Sequence, residues 1–284
     1  VLSYRHSFHA GNFADVIKHI VVVDIFERLL KKDKAIVYID THSGAGLFNL
    51  RSQDAEKLEE YRNGIGKLVH KPYPEMASYL ELVKSFNKPN LLSCYPGSPM
   101  IAAHFLRPQD KAWLYELHPQ DYKALKGNIQ ATSKSARRKI SVVCQDGLQG
   151  VLSQLPPASR RGLVLIDPSY EVKSEYDKVA SVVGKAYKKF STGIFAIWYP
   201  VVEREKIHKL EKKLVASGIR NIQKFELGLQ ADSKEHGMTA AGMIVINPPW
   251  GLYDKMSSLL PKLTKALGNG SADAFYKCET LVGE

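Results

Sequence analysis

The chain has 284 residues, 44% hydrophobic and 24% charged, an ordinary globular composition that excludes a fibrous or disordered protein. Forty Lys and Arg against 29 Asp and Glu give a net charge of +11. That excess points to a polyanionic partner, because clustered cations gain affinity by releasing phosphate counterions. Cys94, Cys144 and Cys278 form no CxxC pair and no metal-spaced cluster. No stretch is apolar for long enough to cross a bilayer, and the opening VLSYRHSFHAGN lacks a signal-peptide core. A cytoplasmic protein is therefore expected.

Taken in chain order, the first helix is predicted to start near Asn12, with Asp15 three residues on resembling a capping box. Phe13, Ile17, Ile20 and Val21 share one face of it, and the KKDK run ends it. AIVYID follows as a strand. The pattern then changes. DAEKLEEYRNGIGKLV and PEMASYLELVKSFN read as helices, and a helical insertion is expected over 50–109 within a single domain spanning 1–284. Alternation resumes with the strands AWLYELH, ISVVCQDG, GLVLIDPSY and GIFAIWYP, separated by helical segments. Such alternation makes a largely parallel sheet covered on both faces. NIQKFELGL and GMIVINPPW lie too close together for a crossover helix and are predicted to pair antiparallel at the sheet edge.

In an open α/β sheet, ligands bind at the carboxyl ends of the strands, so the residues there carry the functional reading. After the first strand, Asp40, Gly44 and Gly46 form a D-x-x-x-G-x-G turn, whose glycines let the backbone approach a ligand. A dinucleotide fingerprint wants a glycine where Asn49 stands, so the turn fits S-adenosylmethionine (AdoMet) better. Glu116 follows the next strand and can accept bonds from both hydroxyls of a ribose, as can any solvated strand-end acid. Asp146-Gly147 is either an adenine-edge contact or a plain turn. The fourth strand ends in Asp167-Pro168-Ser169-Tyr170, close to the [D/N/S]-P-P-[Y/F/W] motif of enzymes that methylate base amines. The lone pair of such an amine is delocalised into the ring. A carboxylate (Asp167) and a carbonyl (Pro168) accepting its two N–H bonds restore its nucleophilicity, while Tyr170 stacks on a base taken out of its helix. Asn247-Pro248-Pro249-Trp250 matches the motif more literally, but too little chain follows it, and it is expected to be a turn. His6 and His9 lack a third metal ligand, and no G-x-S-x-G elbow supports a hydrolase. The segment YRHSFHAGNFADVIKH, with Tyr4, Arg5, His6, His9, Lys18 and His19, fits a basic, aromatic arm for phosphates and a base.

In order along the chain, SYRHSFHAGNFADVIKH, IDTHSGAG, YPGSP, YELHP, QDG, LIDPSYE and MIVINPPW resemble the RlmJ family of ribosomal RNA adenine-N6 methyltransferases. The resemblance covers nearly the whole chain. It implies a Rossmann-like class I AdoMet-dependent fold, with a mostly parallel seven-stranded sheet, an antiparallel edge strand and a small helical insertion. It also implies metal-free methylation of one adenine (position 2030 in the family) of 23S rRNA, as free or early-assembly RNA, by a monomer. His19, His42 and Ser98 would contact the methionine part of AdoMet, with Gly44 and Gly46 in the turn beside it. Glu116 would bind the ribose, Asp146 and Gly147 the adenine. Asp167 would touch both the target amine and the cofactor. Tyr4, His6 and Lys18 would shape the RNA-facing side. Ser169 departs from the family's second proline, which leaves the Pro168 carbonyl less firmly aimed. A DNA amino-methyltransferase and an AdoMet-binding RNA-binding protein of weak activity are the competing readings.

Overall fold

The computed structural model describes residues 5–233 and 237–284. The strands are β1 (Val37–Asp40), β2 (Leu47–Asn49), β3 (Cys94–Pro96), β4 (Lys111–Tyr115), β5 (Ile140–Val143), β6 (Gly162–Ile166), β7 (Ile194–Val201), β8 (Ile222–Gly228), β9 (Ala240–Ile246) and β10 (Phe275–Val282). The helices are α1 (Phe13–Leu29), α2 (Gln53–Leu58), α3 (Glu60–Asn63), α4 (Ala77–Ser85), α5 (Ser98–Phe105), α6 (Pro119–Ala131), α7 (Lys134–Arg137), α8 (Gly147–Gly150), α9 (Glu175–Lys189), α10 (Arg204–Ala216) and α11 (Leu252–Leu267).

Eight strands form one sheet in the order β10-β8-β9-β7-β6-β1-β4-β5, and β2 pairs with β3 in a separate ribbon. The pairs β5–β4, β4–β1, β1–β6 and β6–β7 are parallel. Chain order reverses between β1 and β6, so a crevice opens at their carboxyl ends. The apolar runs of β6, β7 and β9 are buried along their whole length, as strands covered on both faces must be.

The antiparallel pairing of β8 with β9 is present, but not at the edge. β9 sits between β7 and β8, and β10 forms the edge as an eighth strand. Burial explains the arrangement. Ala240–Ile246 is wholly apolar and needs a partner on each side. Phe275–Val282 carries Lys277, Glu279 and Thr280, and its partial exposure suits an edge.

Asn12 caps α1 by accepting from the N–H groups of Ala14 and Asp15. Asp15 reaches back to the N–H of Gly11 rather than of Asn12, a capping box displaced by one residue. The helix is buried on every face from Ala14 to Phe26, not on one, because α4, α5 and α11 enclose it against the sheet. Its polar residues are therefore either paired or turned to the crevice. Asp24, for example, takes Arg28 and Lys255. Between β1 and β4, α5 is the crossover helix of the sheet, so the added segment is shorter than 50–109. Its Ile65, Leu68, Tyr79 and Tyr95 share the core of the sheet domain.

Candidate active site

The crevice is a cleft of about 330 Å³ over the carboxyl ends of β1, β4, β5, β6 and β7. Asp167 ends β6 and enters it with its carboxylate held by Lys18 of α1: Nζ donates to Oδ2 over 2.6 Å. The same ammonium lies 2.8 Å from Asp15 Oδ1, and Asp15 Oδ2 is 2.8 Å from His6 Nε2. His6, Asp15, Lys18 and Asp167 thus form one continuous chain of polar contacts along the cleft. Lys18 is only 4% exposed and sits 5.6 Å from the centroid of the Trp198 ring. Burial opposes its charge, but the two carboxylates more than offset this and raise its pKa, so it stays protonated. Asp15 is held far below the usual carboxylate range, with His6 and Lys18 overcoming its burial. Burial raises the Asp167 pKa despite Lys18.

A second set lies under the β1 turn. Asp40 is fully buried, and its Oδ2 accepts from Ser98 Oγ (2.6 Å) and Tyr38 OH (2.9 Å). Burial pushes its pKa up to about 6, against these donors. The His42 ring, 2.7 Å from Thr41 Oγ1, is lowered by burial to about 4. His19, against the Tyr95 hydroxyl at 2.7 Å, is lowered by burial to about 3. Both rings are neutral at pH 7. At the end of β4, Glu116 accepts from the N–H of Gly44 (2.7 Å) and of His118 (2.7 Å), one bond per oxygen. A carboxylate has about four lone-pair sites, so both oxygens keep capacity toward a ligand. Asp146 caps α8 and takes Lys178 Nζ at 2.6 Å. Burial opposes that charge, but Lys178 and the α8 amides win and lower its pKa. Gly147 is a steric necessity, since a Cβ there would stand 2.0 Å from the Thr41 carbonyl.

Of the residues picked from the sequence, His6, Lys18, His19, His42, Gly44, Ser98, Glu116, Asp146, Gly147, Asp167 and Pro168 line this one cleft. Tyr4 lies outside the described residues. Gly46 (φ 81°) does not line the cleft. It supports the turn from behind, where a Cβ would stand 2.9 Å from Leu125. Tyr170 is also displaced from its expected role. Its ring is buried against Tyr176 (centroids 4.3 Å apart), its hydroxyl donates to the Trp198 carbonyl over 2.9 Å, and it does not line the cleft. Its backbone takes the left-handed region at φ 54°. Tyr170 therefore anchors the loop and presents no free face. His6 and His9 each face an acid, Asp15 and Glu60 (3.0 Å), rather than a shared metal.

Asn247-Pro248-Pro249-Trp250 is at the opposite end of the sheet. Ile246 pairs with Phe195 and Ile222, near the amino ends of β7 and β8, because β9 runs against them. Asn247 spends its amide on the carbonyls of Ser191 and Gly193.

Sequence reading missed Asp15, Lys178 and Trp198. Asp15 was hidden by its capping role. Trp198 lies inside the continuous apolar run GIFAIWYP, which reads as a buried strand and gives no sign that this ring reaches the cleft. Trp198 lines the cleft, and among the described residues its buried Nε1 has no hydrogen-bond partner.

The strand order, with a cleft at the switch point, defines a class I methyltransferase fold. A family model described as "Ribosomal RNA large subunit methyltransferase D, RlmJ" matches residues 33–278. The chain is 50% identical over 277 residues to ribosomal RNA large subunit methyltransferase J of Haemophilus influenzae, covering 95% of this chain and 97% of the relative. It is 48% identical to the Escherichia coli K12 protein of the same name, covering 96% and 97%. A crystal structure of Legionella pneumophila protein LPL1258 superposes with a TM-score of 0.87 at 36% identity, covering 96% of this chain and 98% of that one. The chain belongs to the RlmJ family of large-subunit ribosomal RNA methyltransferases.

Two expected results concern this cleft. Glu116→Ala removes the anchor of Gly44 and His118; on the expectation that the cleft takes AdoMet, it should weaken that binding about 10- to 100-fold with kcat changed far less. Calorimetry and saturation kinetics check the split. A lowered kcat with unchanged cofactor affinity contradicts it. The second follows from Asp40. Its folded pKa, about 6, exceeds the ordinary 3.8, so the native state binds the extra proton between these values. Stability must fall as pH rises through that window, by up to about 3 kcal/mol. Urea denaturation from pH 4 to pH 7 should show the parent losing that much relative to Asp40→Asn. A pH-independent difference contradicts it.

Proposed function

We propose that this protein transfers a methyl group from AdoMet to N6 of a specific adenine in large-subunit rRNA. The observation that carries the reading is the Asp167 carboxylate. It ends the switch-point strand β6, is held by buried Lys18, and shares one cleft with Glu116, Asp146 and the β1 glycine turn.

The cleft residues suit AdoMet. Glu116 has lone pairs for ribose hydroxyls, and Asp146 with Leu148 flanks a slot for the adenine. Ser98, held from below by buried Asp40, and the neutral rings of His19 and His42 offer a polar bed for the amino-acid end. When bound, AdoMet supplies an electrophilic methyl carbon on a sulfonium. The chain's own residues prepare the amine. Asp167 and the Pro168 carbonyl each accept one N–H bond, which favours the pyramidal nitrogen and frees its lone pair. Lys18 favours the charged form of Asp167 against its burial and fixes its rotamer, so the acceptor needs no reorganisation when the bond forms. Trp198, which lines the cleft, takes the base-facing role that Tyr170, turned away from it, does not fill. Tyr170 also offsets the loss of the second proline, since its bond to the Trp198 carbonyl restrains the loop that Ser169 leaves free. His6 and Lys18 stand on the RNA-facing side.

The test is transfer of labelled methyl groups from AdoMet to rRNA from cells lacking this gene, in parallel with duplex DNA. Label in rRNA and none in DNA is expected. Label in duplex DNA alone, or bound AdoMet with no transfer to either, would sink the reading.

A further inference from the structure

The turn Asn247–Gly251 is fixed at several points. Asn247 adopts φ 52° with its amide on two carbonyls, and its N–H donates to the Asn221 carbonyl at 2.9 Å. The N–H of Leu252 closes on the Pro249 carbonyl at 3.1 Å, and the Arg28 guanidinium donates to the Trp250 carbonyl. Gly251 is at φ 78°, where a Cβ would press on that guanidinium. This rigid pedestal holds up an indole that is 90% exposed. A shallow depression beside it is lined by Arg28, Lys31, Lys32 and Arg161. Lys31 and Lys32 are exposed and, among the described residues, have no ion-pair partner within 4 Å. Single exposed apolar side chains are common and need no role. A pre-organised tryptophan flanked by unpaired lysines is different. Protein interfaces are depleted of lysine, whereas a flat ring beside cations suits a stacked base and its phosphates.

We propose that this face, at the amino ends of β1 and β6, is a second RNA contact: a single-stranded base stacks on Trp250 while Lys31 and Lys32 take its phosphates. The proposal rests on rRNA being the substrate, and it concerns a part of the rRNA remote from the target base. The face and the cleft lie at opposite ends of the sheet, roughly 25 Å apart from the eight residues of β7 at about 3.3 Å each. A short RNA that fills the cleft does not reach the pedestal, so the contribution must depend on substrate length.

The experiment compares parent, Trp250→Ala, Trp250→Phe and a Lys31→Glu/Lys32→Glu double variant. Each is titrated with protein-free large-subunit rRNA and with a short hairpin carrying the target, over a range of salt. Trp250→Ala should bind the long RNA about 5- to 100-fold more weakly, and Trp250→Phe should recover most of that. The double variant should flatten the salt dependence by about one unit per lysine. AdoMet affinity and turnover on the hairpin should be unchanged throughout. Equal long-RNA affinity in Trp250→Ala and parent overturns the proposal. So does a parent that sediments as a dimer and becomes monomeric in Trp250→Ala, since the face would then join two copies. If the parent methylates rRNA and Trp250→Ala binds as well as it does, only the second contact fails. If the parent neither binds nor methylates rRNA, the functional reading fails with it.

Discussion

Asp167→Asn is expected to lower methyl transfer to large-subunit rRNA by about 10²–10⁴-fold while AdoMet affinity stays within a few-fold. The substitution keeps the shape of the side chain and its place at the end of β6, and removes only the negative charge. The amide Oδ1 can still accept from Lys18, so the fold should survive. What is lost is an anionic acceptor aimed at the amine, and with it the bias toward a pyramidal nitrogen. Single-turnover rates with saturating RNA isolate that step. Activity within a few-fold of the parent would remove Asp167 from the chemistry.

Lys18→Met is expected to damage both stability and activity, for one reason. Lys18 is the shared cation of Asp15 and Asp167, and its removal leaves two carboxylates in a largely buried site without their ammonium. Breaking a buried ion pair on one side costs about 3–5 kcal/mol. In a chain of this size that is a fall in melting temperature of about 5–8 °C. The sign of the activity effect with pH follows as well. Lys18 lowers the Asp167 pKa against its burial, so without it the group protonates at higher pH and stops accepting N–H bonds. The rise of residual transfer with pH should therefore be displaced to higher pH than in the parent. Adding Asp15→Asn to Lys18→Met should return part of the stability and none of the activity. A Lys18→Met protein as stable as the parent would contradict the pairing.

The parallel half of the sheet was legible because each of its strands is an apolar run ending in a polar residue that needs a ligand or a cap. Asp40, Glu116, Asp146 and Asp167 are those endings; the fold brings the last three into one cleft and buries Asp40 beneath the β1 turn. The antiparallel half was less legible. Closeness in sequence showed that β8 and β9 pair, but not that β9 enters between β7 and β8, which depends on burial of both its faces. β10 was hidden because an edge strand needs no clean apolar pattern. The site was misread where a side chain has two uses. Tyr170 has the residue type of a stacking ring, but its hydroxyl and left-handed backbone commit it to the loop and turn the ring inward. Asp15 carried an adequate local explanation as a capping residue, which concealed its contact with Lys18 across one turn of α1. Asn247-Pro248-Pro249-Trp250 shows that a motif acquires meaning from strand direction, because β9 carries it to the end of the sheet away from the cleft.

The most direct test of the account is the identity of the methylated nucleoside. Large-subunit rRNA treated with the protein and methyl-labelled AdoMet would be digested to nucleosides and resolved by mass spectrometry. The account predicts label in N6-methyladenosine alone, absent when Asp167→Asn replaces the parent. Label in a 2′-O-methyl, C-methyl or N4-methylcytidine product would contradict it.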